Sequence, residues 1–65
     1  MTSSELLRRL RRLGAQVITG RGKGGHIMVV LSGRRAFVPT GTGEIKLGTL
    51  LGILRQLGLR LEDLR

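Results

Sequence analysis

Apolar residues recur along the chain with two different periods. Leu6, Leu7, Leu10 and Leu13 share one side of a 3.6-residue wheel, with Arg8, Arg9, Arg11 and Arg12 opposite, which predicts an amphipathic first helix. Thr2-Ser3-Ser4-Glu5 ahead of it fits a capping box: a hydroxyl caps the first turn and the glutamate reaches back to a free backbone N–H. Gly14 supplies the stop. Beyond it the period changes to two. Residues 15–19 form a short, partly β-branched segment, and residues 26–31 set His26, Met28 and Val30 against Ile27, Val29 and Leu31, so that both faces are largely apolar. Residues 34–38 set Arg35 and Phe37 against Arg34, Ala36 and Val38. Ser32-Gly33 is a two-residue hairpin turn between these strands, and Pro39 closes the third. After Thr40-Gly41-Thr42-Gly43 the helical period returns at Leu50, Ile53, Leu54 and Leu57 and ends at Gly58. Leu61 and Leu64 are spaced for one more turn.

The predicted order is helix, three strands, helix. Sequential strands join most simply as an antiparallel meander, with both helices on one face of the three-stranded sheet. The expectation is an α+β, two-layer α-β-β-β-α fold, the arrangement of double-stranded-RNA-binding domains, with residues 1–65 as a single domain. A chain of 65 residues buries only roughly 60% of its unfolded surface, so the core claims most of the Leu, Ile and Val side chains and function falls to the edges.

Charge narrows the partners. Twelve Lys and Arg against four Asp and Glu give a net charge of +8, a strongly positive field over a small surface, and the natural partner is an anion. With no Cys and one His, disulfide frameworks, zinc fingers and thiol nucleophiles are excluded. The carboxylates Glu5, Glu44, Glu62 and Asp63 are too scattered for a two-metal site, so no metal and no small-molecule cofactor is expected. Phe37 is the one aromatic residue, which excludes a multi-base stacking platform. The longest apolar run, 27–31, falls far short of a bilayer span or a signal-peptide core, and the chain reads as a soluble, cytoplasmic protein without membrane contact.

Candidate chemistry gathers in Gly20-Arg21-Gly22-Lys23-Gly24-Gly25-His26. The Gly20, Gly22, Gly25 spacing matches a dinucleotide fingerprint only formally, because a strand follows where a helix is required, and Gly22-Lys23 lacks the Ser or Thr of a P-loop. Two readings remain: a loop whose backbone donors and cations hold a phosphodiester, or a glycine-rich turn with solvated charges. His26 is the one side-chain type here suited to acid–base work at neutral pH, with a partly buried packing histidine as the plain alternative. Beside a phosphodiester such a base takes the proton of an RNA 2′-hydroxyl, while Lys23 or Arg21 offsets the developing charge. Arg21, Lys23, Gly24, Gly25, Arg34, Arg35 and Lys46 are the candidate RNA contacts. Arg8, Arg9, Arg11 and Arg12 are candidates for RNA or a protein partner, against the alternative of a solvated face. Contact with about five phosphates of single-stranded RNA gives a salt slope near −3.5.

Gly24-Gly25-His26 at a strand start, Ser32-Gly33-Arg34, Val38-Pro39, Leu47-Gly48-Thr49-Leu50, Ile53-Leu54-Arg55-Gln56-Leu57-Gly58-Leu59 and Glu62-Asp63-Leu64 stand in an order and spacing that resembles the HicA family of bacterial mRNA interferase toxins. The resemblance runs through almost the whole chain. It implies a dsRBD-like fold, metal-independent endoribonuclease activity on mRNA, and a HicB-like acidic antitoxin that holds the toxin inactive. By position, the family's catalytic histidine falls on His26. Three departures from the family pattern stand out: Gly25 where Ser is frequent, Thr40-Gly41 where a further His is common, and Leu51 in place of a frequent Arg. With one histidine, the acid for the leaving group stays unassigned. The alternatives are a dsRBD-like module that binds RNA without cutting it and a basic peptide acting on anionic membranes, against which the glycine-rich strands argue.

Overall fold

The computed structural model describes residues 1–19, 26–40 and 43–65. Helix α1 (Ser3–Arg12) is followed by strands β1 (Gln16–Ile18), β2 (His26–Leu31) and β3 (Arg34–Pro39), helix α2 (Leu47–Gln56) and a terminal 3-10 turn (Leu61–Leu64). The strands form an antiparallel sheet in the order β1-β2-β3, so the α-β-β-β-α expectation holds.

Alternation assigns the two sheet faces. Val17, Val29 and Ala36 lie in one cross-strand row, and Ile27 pairs with Val38; this is the face under the helices, where Val29, Ala36 and Val38 pack with Leu6, Leu10, Leu50, Ile53 and Leu54. The opposite face carries Ile18, Met28 and Phe37 in one row, with Gln16, Val30 and Arg35 in another and His26 opposite Pro39. Deep burial of one face and partial exposure of the other resolve the apolar ambiguity of β2: Val29 is fully buried, whereas Met28 and Val30 are half-buried.

Glycine sets three of the corners. Ser32 (φ 51°) and Gly33 (φ 79°) both adopt the left-handed conformation that a type I′ hairpin demands. Both helices end in a Schellman motif, with Ala15 N–H donating to the Leu10 carbonyl and Leu59 N–H to the Leu54 carbonyl around left-handed Gly14 and Gly58. Ala15 thus belongs to the helix cap, which is why β1 is shorter than the 15–19 segment. Pro39 extends β3 by a residue, as the edge position of that strand tolerates a missing N–H.

Two expectations at the N-terminus change. The Thr2 hydroxyl accepts from Glu5 N–H as a cap, but the Glu5 carboxylate pairs with Arg9, one turn along, so the capping box is only half made. Leu13 is 40% exposed because it is the C-cap, beyond the last turn that packs. An unforeseen bridge joins Thr2 to Glu44, reinforced by Ile45 N–H to the Met1 carbonyl and by the pairing of the N-terminal amine with Glu44. It ties the segment before α2 to the start of α1.

Candidate functional site

His26 is the first residue of β2, and its side chain is exposed at the strand end. The β ladder sets it opposite Pro39 and makes it the diagonal neighbour of Phe37 on the face away from the core. These three form one wall of a surface groove of about 540 Å³; Thr49, Gly52, Ile53 and Gln56 of α2 form the other. The spacing 49, 52, 53, 56 is one helical stripe, which is how a single helix supplies an entire wall. The edge position of β3 leaves the groove open to solvent beside it.

A second cleft adjoins this one. It is lined by Ser3, Glu44, Ile45 and Lys46, and it shares Pro39 and Thr49 with the His26 groove. Lys46, the N-cap of α2 with an exposed side chain, therefore stands one cleft from His26. Ser3 holds the shared wall in place, its hydroxyl donating to the Pro39 carbonyl.

The other cations divide by environment. Arg34 and Arg35 open β3 at the end far from His26; counting five and four residues along the ladder at ~3.3 Å each puts them roughly 16 and 13 Å away. The Arg34 side chain lies against Gly58, where its guanidinium carbon would be 3.2 Å from an added Cβ. Arg9 is half-buried and internally engaged, donating to the Glu5 carboxylate at 2.8 and 3.2 Å and to the Leu64 carbonyl at 2.7 Å, so it fixes the terminal turn to α1. Arg8, Arg11 and Arg12 are exposed. Arg21, Lys23, Gly24 and Gly25 lie outside the described residues.

Acidic groups are largely occupied. Glu5 pairs with Arg9, Glu44 with the N-terminal amine, and Asp63 accepts from the Arg60 N–H at 2.8 Å. The Arg9 hydrogen bond, and after it the Arg9 charge, holds the Glu5 carboxyl below the ordinary glutamate value. Among the described residues no group of three His, Asp or Glu side chains converges, and no helix is long and apolar enough to cross a membrane.

Sequence reasoning missed Phe37, Thr49 and Gln56 as site residues and placed Ser3 at a helix end. The alternation of Arg35 and Phe37 already put Phe37 off the core face; what the sequence lacks is the position of α2 across the β3 edge. Neither the curated proteins nor the solved structures gave a match to the chain. A family model described as "HicA toxin of bacterial toxin-antitoxin" matches residues 3–59, a span that takes in both helices, all three strands and every wall of the His26 groove. The chain belongs to the HicA family and is the toxin of a toxin–antitoxin system.

Proposed function

We propose that the chain is a metal-independent endoribonuclease that cuts mRNA, with His26 as its acid–base group. The observation that carries this reading is the exposed imidazole on the wall of an open groove in a HicA-family chain of net charge +8. A phosphodiester drawn to that field sits with its 2′-hydroxyl at the imidazole. His26 removes the hydroxyl proton, the 2′-oxygen forms a bond to phosphorus, and the bond to the 5′-oxygen breaks. The products are a 2′,3′-cyclic phosphate and a 5′-hydroxyl end. Nearby cations, with Lys46 one cleft away and Arg21 and Lys23 in the adjoining sequence, offset charge on the phosphoryl oxygens. Since His26 is the single histidine, the departing oxygen takes its proton from water, from a lysine ammonium, or from His26 itself once it is protonated.

The same groove is the surface that an inhibitor must cover. A HicB-type antitoxin of acidic character laid over His26 would exclude RNA and gain fast, electrostatically steered association.

The test is cleavage of a long single-stranded RNA in excess EDTA by the wild type and by His26→Ala. Cutting that survives EDTA, ends in a cyclic phosphate, spares DNA and disappears in His26→Ala while RNA binding persists is the expected result. Equal cutting by both proteins removes His26 from the chemistry. Binding without cutting by the wild type returns the chain to the class of RNA-binding modules.

A further inference from the structure

We propose that Phe37 is a positioning residue that stacks one unpaired nucleobase in the groove between β3 and α2, next to the phosphodiester at His26. This rests on the ribonuclease reading of His26 and adds to it the form of RNA the site accepts.

Phe37 is the chain's one aromatic residue, and it is 49% exposed on the face away from the core. Leu13, Leu47, Leu51 and Leu61 are exposed as well, but among these exposed apolar side chains Phe37 alone lines the His26 groove. The ring is also well placed for a substrate. Diagonal neighbours across an antiparallel pair lie roughly 7–8 Å apart, within reach of an aromatic side chain, and a single nucleotide bridges such a gap from base to phosphate.

The facing wall supports the same reading. Gly52 lies in the interior of α2, where glycine is disfavoured, yet a Cβ added there would meet nothing within 4 Å. Packing does not require that glycine; what it does is keep the groove open opposite Phe37. Thr49 and Gln56, one turn to either side, are exposed and bring neutral donors and acceptors to the rim. Among the described residues the groove is lined, His26 apart, by side chains without charge, whereas the adjoining cleft carries Lys46 and Glu44, the latter paired with the N-terminal amine. A base suits the uncharged stretch between Phe37, Thr49 and Gln56, with the phosphodiester at the His26 end of the same groove. Stacking on one ring is sequence-tolerant, because every base has a π-face, and it needs an unstacked strand. The substrate is therefore single-stranded at the cut, with Thr49 and Gln56 setting a modest preference for the stacked base.

The experiment measures binding of 2′-O-methyl oligoribonucleotides, which cannot be cut, carrying 2-aminopurine, in single-stranded and duplex form. Phe37→Leu should weaken single-strand binding roughly 5- to 150-fold and abolish quenching of the 2-aminopurine, with the salt slope unchanged. Phe37→Trp should restore both. Gly52→Leu is the second variant: it replaces a poor helix former with a good one over open space, so its Tm should not fall, while binding drops because the groove is filled. Equal affinity of wild type, Phe37→Leu and Gly52→Leu overturns the proposal. So does a loss confined to antitoxin binding, which would assign Phe37 to the protein interface. Since none of these readouts depends on cleavage, failure of the ribonuclease reading appears separately, as unmodified RNA left intact by the wild type in the EDTA assay while 2′-O-methyl strands still bind.

Discussion

The Ser3 hydroxyl donates to the carbonyl of Pro39, 36 residues along the chain, and Pro39 is the ladder partner of His26. The first turn of α1 thereby fixes the strand end that faces the imidazole. Neither partner is exposed to bulk water in full, so losing the hydroxyl leaves a carbonyl poorly paired at the junction of two clefts.

Ser3→Ala should lower stability by about 1 kcal/mol and reduce RNA cleavage several-fold, since small displacements of a reacting group are costly. Ser4→Ala, one residue on and exposed, is the comparison. Urea denaturation and single-turnover cleavage on the pair check it; indistinguishable variants would show that Ser3 does not position the site.

Glu5 and Arg9 give a pH signature. The Glu5 carboxyl titrates below its ordinary value in the folded chain, chiefly because Arg9 hydrogen-bonds to it and then because of the Arg9 charge. A depressed folded pKa means that the folded state binds the proton less readily than the unfolded state. The stabilisation is therefore fully present above the ordinary glutamate value and fades as pH falls through that value toward the depressed one. Melting curves of wild type and Glu5→Gln should differ most near neutrality and converge in acid. Arg9→Met should destabilise more than Glu5→Gln, because it also removes the hydrogen bond to the Leu64 carbonyl, on the order of 1 kcal/mol. A gap between wild type and Glu5→Gln that stays constant with pH would show that the pair contributes nothing to folding.

Much of this architecture is legible from periodicity because the decisive forces are local. Gly14 and Gly58 end their helices by a backbone conformation that side chains disfavour, and residues 26–31 form the strand their alternation predicts. The site is less legible because its contacts join distant segments. Arg9 reads as one of four equivalent cations until the terminal turn, 55 residues away, offers it a carbonyl. Phe37 is recognisable as off-core from alternation, but its facing wall comes from α2. The one histidine of the chain is legible as acid–base chemistry from residue type alone, and the family resemblance falls on the same His26; only the fold shows that it shares a groove with Phe37.

That sorting of the arginines sharpens what the antitoxin should sense. Arg8, Arg11 and Arg12 are exposed on α1, whereas Arg9 is committed to Glu5 and Leu64. Exposed charges act on a partner through long-range attraction, which is strong at low salt and screened beyond about 8 Å at physiological ionic strength. Replacing Arg8, Arg11 and Arg12 with Gln should slow association with an acidic antitoxin roughly 10- to 100-fold at low salt, and the wild-type and variant rates should merge as salt rises. Arg9→Gln carries the same loss per charge removed, but its main effect should be a lower Tm rather than a slower association. Stopped-flow association across a salt series, alongside melting curves, separates the two. Unchanged kinetics in the triple variant would place the antitoxin away from α1, and an association defect in Arg9→Gln as large as the triple variant's would show that the ion pair with Glu5 opens on binding.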